Sequence, residues 1–191
     1  HMWIKTWSHD AIYAGANAKG AEEAWYDMGI MLEEFDIFST PFCGGATDIV
    51  KCFDQIDRRL LYYLAEQAGM PTEVLRAYSN FMEGLKIHNT INGGIGRAYR
   101  RPMGIPQGCP LSMLMIAILL KPWMTMMHTM GTYPKMLVDD ILVLAAGPGC
   151  RKRYTAAMNA THQYLLDIGA AISTPKSVSF ASNDTLRGKL R

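Results

Sequence analysis

Two adjacent carboxylates, Asp139 and Asp140, stand inside the apolar run Met136-Leu137-Val138-Asp139-Asp140-Ile141-Leu142-Val143-Leu144. Apolar stretches of that length are buried as a rule, and an ionised carboxylate buried without a partner is so unfavourable that its pKa shifts instead. A pair of them calls for a cation: two like charges about 4 Å apart repel by roughly 1 to 4 kcal/mol between the dielectric of water and that of a protein surface, and a divalent metal relieves this. The plain alternative for this segment alone is a solvated Asp-Asp turn joining two strands. A third carboxylate, Asp48, opens the segment Asp48-Ile49-Val50-Lys51-Cys52-Phe53-Asp54, where an aromatic follows five positions on. Three carboxylates from two distant segments suit phosphoryl transfer with two Mg²⁺ (or Mn²⁺) ions about 3.5 to 4 Å apart, which take carboxylate oxygens and substrate phosphates as ligands. By itself, Asp48 reads as an ordinary strand-end or turn aspartate.

The elements that must position these groups follow from apolar spacing. Ala21, Trp25, Met28, Leu32 and Phe35 recur at threes and fours and predict an amphipathic helix over 21–35. The small, Pro- and Gly-rich 39–46 breaks it before an extended segment that begins at 47–50. A helix over 57–67 stops at Gly69, and Pro71 suits the first turn of another that carries Leu75, Tyr78 and Met82. Asn92-Gly93-Gly94 predicts a hairpin between 85–91 and 97–101, with a basic return strand. A Gly/Pro-rich loop, 104–110, leads into a deeply buried helix over 111–120, ended by Lys121-Pro122. After the Asp139-Asp140 hairpin, a helix over 151–168 and a strand over 172–180 complete the pattern. Eight of the fourteen methionines fall between Met103 and Met136, and core packing explains them better than an adaptable binding surface.

Bulk properties set bounds. At 191 residues and 49% hydrophobic content the chain can build one substantial core, and a formal charge of +2 is too small to argue for nucleic acid by itself. Four cysteines without C-x-x-C spacing suggest neither a zinc site nor a disulfide framework and fit a reducing, intracellular setting. The longest uncharged stretch, 102–120, is too interrupted by Pro and Gly to span a membrane. His1-Met2 reads as an expression remnant, so flanking parts are expected outside this sequence.

Asp48 to Asp54, Gly104-Ile105-Pro106-Gln107-Gly108-Cys109-Pro110-Leu111-Ser112, Val138-Asp139-Asp140 and Pro175-Lys176-Ser177 stand in the order of motifs A, B, C and D of reverse transcriptases. The chain resembles that family from about residue 12 to 180, with non-LTR retrotransposon and group II intron enzymes nearest. The Pro-Gln-Gly block with its downstream serine is the most specific of the four. The resemblance implies an α+β right-hand palm, an antiparallel sheet backed by helices, with partial fingers and no thumb. It would form a single domain over 1–191, with palm parts at about 41–70 and 102–180 and finger-like parts at about 3–40 and 71–101.

The function implied is RNA-directed DNA polymerase, with an RNA template, a DNA primer and a deoxynucleotide as partners. Asp48 and Asp139 would hold both metals, with Asp140 in support. Phe53 matches the position whose ring excludes a ribose 2′-hydroxyl, though a stacked core phenylalanine fits as well. Gln107 and Gly108 match the loop that meets template and nucleotide, since glycine admits close backbone approach and Gln107 offers donor and acceptor; the resemblance counts Ser112 with them among the substrate-binding residues, and it also suits the cap of the following helix. Lys176 matches the lysine that protonates or neutralises the departing pyrophosphate, or else faces solvent. Arg97, Arg100 and Arg101 could meet a phosphate backbone with Tyr99 as a stacking surface, or form a solvated strand face. Arg151, Lys152 and Arg153 at a helix start, where the macrodipole disfavours positive charge, fit retention for nucleic acid. No histidine shows ligand spacing.

The sequence departs from the family at Leu137, where an aromatic is usual, and at Cys43-Gly44-Gly45-Ala46-Thr47, which is small and loose and predicts poor sheet pairing. Helix faces that meet a thumb elsewhere would be free for self-association. A catalytically silent nucleic-acid-binding or assembly fragment is the alternative reading. An RNA-dependent RNA polymerase shares the palm, but Phe53 and the Pro-Gln-Gly loop speak against it.

Overall fold

The computed structural model describes residues 2–15 and 19–190; His1 lies outside them. In chain order the elements are α1 (Met2–Trp7), α2 (Ala21–Ile37), β1 (Phe42–Asp48), α3 (Cys52–Gln55), α4 (Arg58–Gln67), α5 (Thr72–Gly84), β2 (Thr90–Ile91), β3 (Gly94–Ile95), α6 (Ser112–Thr129), β4 (Tyr133–Leu137), β5 (Asp140–Ala146), α7 (Cys150–Asp167), a 3₁₀ turn (Thr174–Lys176), β6 (Val178–Ala181) and α8 (Asp184–Gly188). The main sheet is antiparallel, in the order β4-β5-β1-β6. Its β4 edge is covered by a parallel bridge from Ile12 to Met136.

Alternation sorts the sheet into two faces. Cys43 and Thr47 of β1, Ile141, Val143 and Ala145 of β5 and Met136 of β4 are all buried on the inner face. Helices α6 and α7 pack there. Four of the methionines, Met115, Met124, Met127 and Met136, sit fully inside this core, which bears out the packing reading. On the outer face α2 approaches the sheet, where Phe35 meets the rings of Phe42 at 5.7 Å and Tyr133 at 5.9 Å.

The loose segment before Asp48 is a correction to expectation. Residues Phe42–Asp48 are a strand paired on both sides, to β5 and to β6. The two glycines are small because neighbours lie on them. A Cβ on Gly45 would overlap the Tyr154 hydroxyl from α7, and one on Gly44 would overlap Leu144 while lying 2.8 Å from the Phe180 ring. Missing side chains here mark close layer packing, not weak pairing.

Other boundaries shift for physical reasons. Helix α6 runs through Pro122 to Thr129, because Trp123, Met124 and Met127 are fully buried beyond it and outweigh the lost backbone donor. The hairpin at Asn92-Gly93 forms with both turn residues at positive φ, yet its ladder covers only Thr90–Ile91 against Gly94–Ile95, with one further bridge between Ile87 and Tyr99. These residues have no buried face to hold longer strands. The final strand is split: Ile172 bridges to Ile49, the Pro175 segment forms the 3₁₀ turn, and pairing resumes at Val178. Among the described residues no helix is long and apolar enough to cross a membrane.

Candidate active site

The register of β1 against β5 pairs Asp48 directly with Asp140, and cross-strand partners in an antiparallel pair project from the same face. Leu137 pairs with Asp140, leaving Val138 and Asp139 as a two-residue hairpin turn. Val138 takes φ of 60°, and Asp139 has no positive φ. That pattern belongs to a type II′ turn, whose first position normally needs glycine. A β-branched residue held there is strained. The sequence thus spends local stability where it sets the direction of Asp139.

The fourth charged group arrives by backbone bonding. The Ser173 amide donates to the Asp48 carbonyl at 2.8 Å, and the Val50 amide to that of Ala171 at 2.9 Å. This seats the 3₁₀ turn beside the end of β1, and Lys176 Nζ lies 3.4 Å from Asp48 Oδ2. Lys176 is largely exposed and Asp48 mostly covered. The Asp140 carboxyl is raised above the ordinary carboxylate range, first by partial desolvation and then by the negative charges of Asp139 and Asp48, with Lys176 opposing. Beneath them the buried Cys52 thiol is pushed up to about 12 by burial and by the same two carboxylates, Asp139 and Asp48. In both, burial is the larger cause, and the negative charge of Asp139 and Asp48 adds to it.

Hard carboxylate oxygens gathered at adjoining strand ends suit a divalent cation chemically. Among the described residues, however, no group of three or more His, Cys, Asp or Glu side chains is drawn together as a ready metal cluster. The ammonium of Lys176 supplies the positive charge on Asp48 instead.

The Gly104–Ser112 loop is fastened to the segment after Asp48. The Gly104 amide donates to the Ile56 carbonyl and the Ile105 amide to that of Phe53, both at 2.8 Å. Phe53, on α3, is partly buried against the core. Gln107 and Gly108 are exposed in the turn of the loop, where Gly108 takes φ of 87°. Ser112 is buried, and it is not the helix cap. That position is Leu111, which makes no side-chain cap bond, while Ser112 Oγ donates back to the carbonyls of Cys109 at 2.5 Å and Pro106 at 3.3 Å. Its hydroxyl shapes the loop ahead of the helix.

Two of the basic residues have partners within the chain. Arg101 Nη1 pairs with Asp54 Oδ1 at 2.8 Å, beside Phe53. Arg153 at the start of α7 donates to the carbonyls of Pro148 at 2.7 Å and of Ala146, which explains a cation at a helix start without nucleic acid.

Two features had no signal in the sequence. One is Arg58, a buried guanidinium at the start of α4. The other is a cluster in which the Tyr13 hydroxyl donates to Asp27 at 2.5 Å while Lys135 donates to Tyr13 at 2.7 Å, tying residue 13, α2 and β4 together. Between α2 and the sheet lies a cavity of about 230 Å³, lined by Trp25, Met28, Ala46 and Leu142 and reaching Asp140.

Three solved structures share this arrangement of the chain. Telomerase from Candida albicans in complex with a TWJ fragment of telomeric RNA superposes with a TM-score of 0.69 at 13% identity, over 97% of this chain and 32% of that one. For telomerase from Candida tropicalis with the same kind of fragment the values are 0.68 and 12%, over 86% and 30%. Apo telomerase from Candida tropicalis truncated from its C-terminal domain gives 0.67 and 15%, over 86% and 36%. The chain therefore spans about a third of the length of these structures, and identities this low show the fold they share. No curated protein sequence matches the chain. The family model described as reverse transcriptase (RNA-dependent DNA polymerase) matches residues 43–187, a span that contains Asp48, the Gly104–Ser112 loop, the Asp139-Asp140 turn and Lys176 in one sheet-centred unit. By that match, with the antiparallel palm and its carboxylates at adjoining strand ends, the chain belongs to the reverse transcriptase family.

Proposed function

We propose that the protein extends a DNA primer on an RNA template, by in-line attack of the primer 3′-hydroxyl on the α-phosphate of a deoxynucleotide. The observation that carries the reading is the pairing of Asp48 with Asp140 across β1 and β5, next to the turn that presents Asp139. Phosphoryl transfer asks little covalent chemistry of a protein and depends on positioning and charge neutralisation.

Asp48 and Asp139 are the residues that would hold two Mg²⁺ or Mn²⁺ ions, with Asp140 beside them. When bound, such ions acidify the attacking hydroxyl and neutralise the leaving phosphate oxygens. The chain's own groups do the rest. Lys176 reaches the same carboxylate end from the 3₁₀ turn, and is placed to give its proton or its charge to pyrophosphate. Phe53 would lie under the sugar and exclude a 2′-hydroxyl by shape. Gln107 and Gly108 would meet the template and the nucleotide, on a loop whose form Ser112 maintains. Arg101, held on Asp54, would present its remaining donors to a phosphate backbone. An RNA partner also agrees with the fold shared with telomerases solved on telomeric RNA.

Primer extension on an RNA template tests the reading. Asp139→Ala is expected to lower the rate by a factor on the order of a thousand, and undiminished extension would remove Asp139 from its role. A second reading is a silent nucleic-acid-binding or assembly module, in which the ammonium of Lys176, 3.4 Å from Asp48, takes the place of a metal. Metal-dependent unfolding separates the two without an activity assay. Added Mg²⁺ or Mn²⁺ raises the melting temperature if the carboxylates bind it, by linkage, and a flat response supports the silent module. Equal use of ribonucleotides would instead favour an RNA polymerase.

A further inference from the structure

Arg58 is 5% exposed, and nothing in the proposed chemistry uses it. Its Nε donates to the Gly104 carbonyl at 2.7 Å, Nη1 to the Met82 carbonyl at 3.1 Å and Nη2 to the Met103 carbonyl at 3.5 Å, while Glu83 lies 3.6 Å from Nη1 at the surface. A guanidinium is a planar fork of fixed donors, so three carbonyls from two segments are held in one relative geometry. Lysine could not do this, because it carries a single donor group.

What the fork holds lies directly on Phe53. Gly104, at φ of 82°, is pressed so closely on α3 that a Cβ there would lie 2.9 Å from the Phe53 carbonyl oxygen and 2.8 Å from that of Asp54. The next amide, of Ile105, donates to that same Phe53 carbonyl. Asp54, the next residue of α3, is tied by its carboxylate to Arg101. Phe53 is thus gripped through its backbone by a loop whose own position depends on Arg58. A residue that discriminates by shape does so only as sharply as its backbone is fixed.

We propose that Arg58 is a positioning residue for sugar selection: by clamping Gly104 against α3 it fixes the height of the Phe53 ring, and with it the discrimination between deoxy- and ribonucleotides. The inference rests on the reading of Phe53 as the residue beneath the sugar.

The test is primer extension by the full-length protein, measuring kcat/KM for a deoxynucleotide and for the matching ribonucleotide. Arg58→Met keeps the apolar stem and removes the fork. Gly104→Ala loosens the same contact without unpairing a buried charge, and carries the test should the Arg58 variant not fold. Both are expected to reduce the deoxy-to-ribo ratio on the order of tenfold, with Arg58→Lys failing to restore it. Phe53→Val is expected to reduce the ratio further, and adding Arg58→Met to it to change nothing more. A merely structural role predicts that both nucleotides lose rate together. An unchanged ratio in Arg58→Met or Gly104→Ala, beside a lowered ratio in Phe53→Val, overturns the inference and leaves the Phe53 reading intact. An unchanged ratio in Phe53→Val overturns that reading, and the inference falls with it.

Discussion

Replacing Asp140 with asparagine should make the protein more stable. Asp48 and Asp140 are cross-strand partners, whose Cβ atoms in such a pair lie about 4.5 to 5.5 Å apart, so their charges repel by roughly 0.8 kcal/mol at the dielectric of water and about 3 kcal/mol at an effective value of 20. Asp140 is exposed and Lys176 screens Asp48, so the lower figure governs. Asp140→Asn keeps the shape and removes the charge, for an expected gain of about 0.5 to 1 kcal/mol without divalent cations, or roughly 1 to 4 °C in melting temperature for a chain of this size. The gain carries a pH signature. Desolvation first, and then Asp139 and Asp48, raise the Asp140 carboxyl above its ordinary 3.8. A carboxyl raised by folding holds its proton more tightly in the folded state. Unfolding free energy therefore falls as pH rises from the ordinary value through the raised one, and this contribution is constant above it. The variant lacks that fall, so its advantage is full above the window and absent below it. Denaturant unfolding of both proteins in a chelator across acid to neutral pH measures this, and added Mg²⁺ should stabilise the wild type more than the variant. A variant no more stable at neutral pH, or an advantage that persists unchanged at low pH, would refute the electrostatic reasoning.

Two further outcomes follow from the same geometry. Gly45→Ala drives a methyl into the Tyr154 hydroxyl and to 2.9 Å from the Val178 carbonyl, and is expected to cost about 3 kcal/mol, the upper end for overpacking. In a Tyr154→Phe background the added cost of Gly45→Ala should shrink measurably in denaturant melts, and additive costs would contradict the contact. Lys176→Met should change stability by no more than about 0.5 kcal/mol, since the lysine itself is largely exposed, yet lower kcat on the order of a hundredfold if it serves the departing pyrophosphate. With Lys176 gone, Asp140 should also titrate higher, which carboxyl chemical shifts would report.

Most of the helices were readable because each carries its own periodicity. The predicted 57–67 and 151–168 became Arg58–Gln67 and Cys150–Asp167. The sheet was harder to read. In β1 the residues that make a strand central, Gly44 and Gly45, are those that look least like one, and only Tyr154, Leu144 and Phe180, all remote in sequence, explain their size. Pro122 misled for a related reason, since a local breaker was overruled by burial further along α6. At the site, Asp48, Asp139 and Asp140 are legible in the sequence and Lys176 through the family resemblance, but the register that brings Asp48 to Asp140 is a long-range fact. Arg58 left no trace because a buried arginine reads as a helix-start surface residue until the carbonyls of residues 82, 103 and 104 are seen around it.

Costs of different kinds coincide at one end of the sheet. Val138 holds a backbone conformation worth about 1 to 3 kcal/mol of strain. Asp48 and Asp140 repel across β1 and β5, and Asp140 carries the raised proton affinity that follows. None of these helps folding, and each could be removed by one substitution. They persist beside a core of fully buried side chains, Ile141, Val143 and Met136 among them, on the strands that also present the acids. The inner face supplies the stability and the strand ends spend it. A solvated Asp-Asp turn would need neither the opposed Asp48 nor a valine where glycine belongs, whereas the proposed cation site accounts for both.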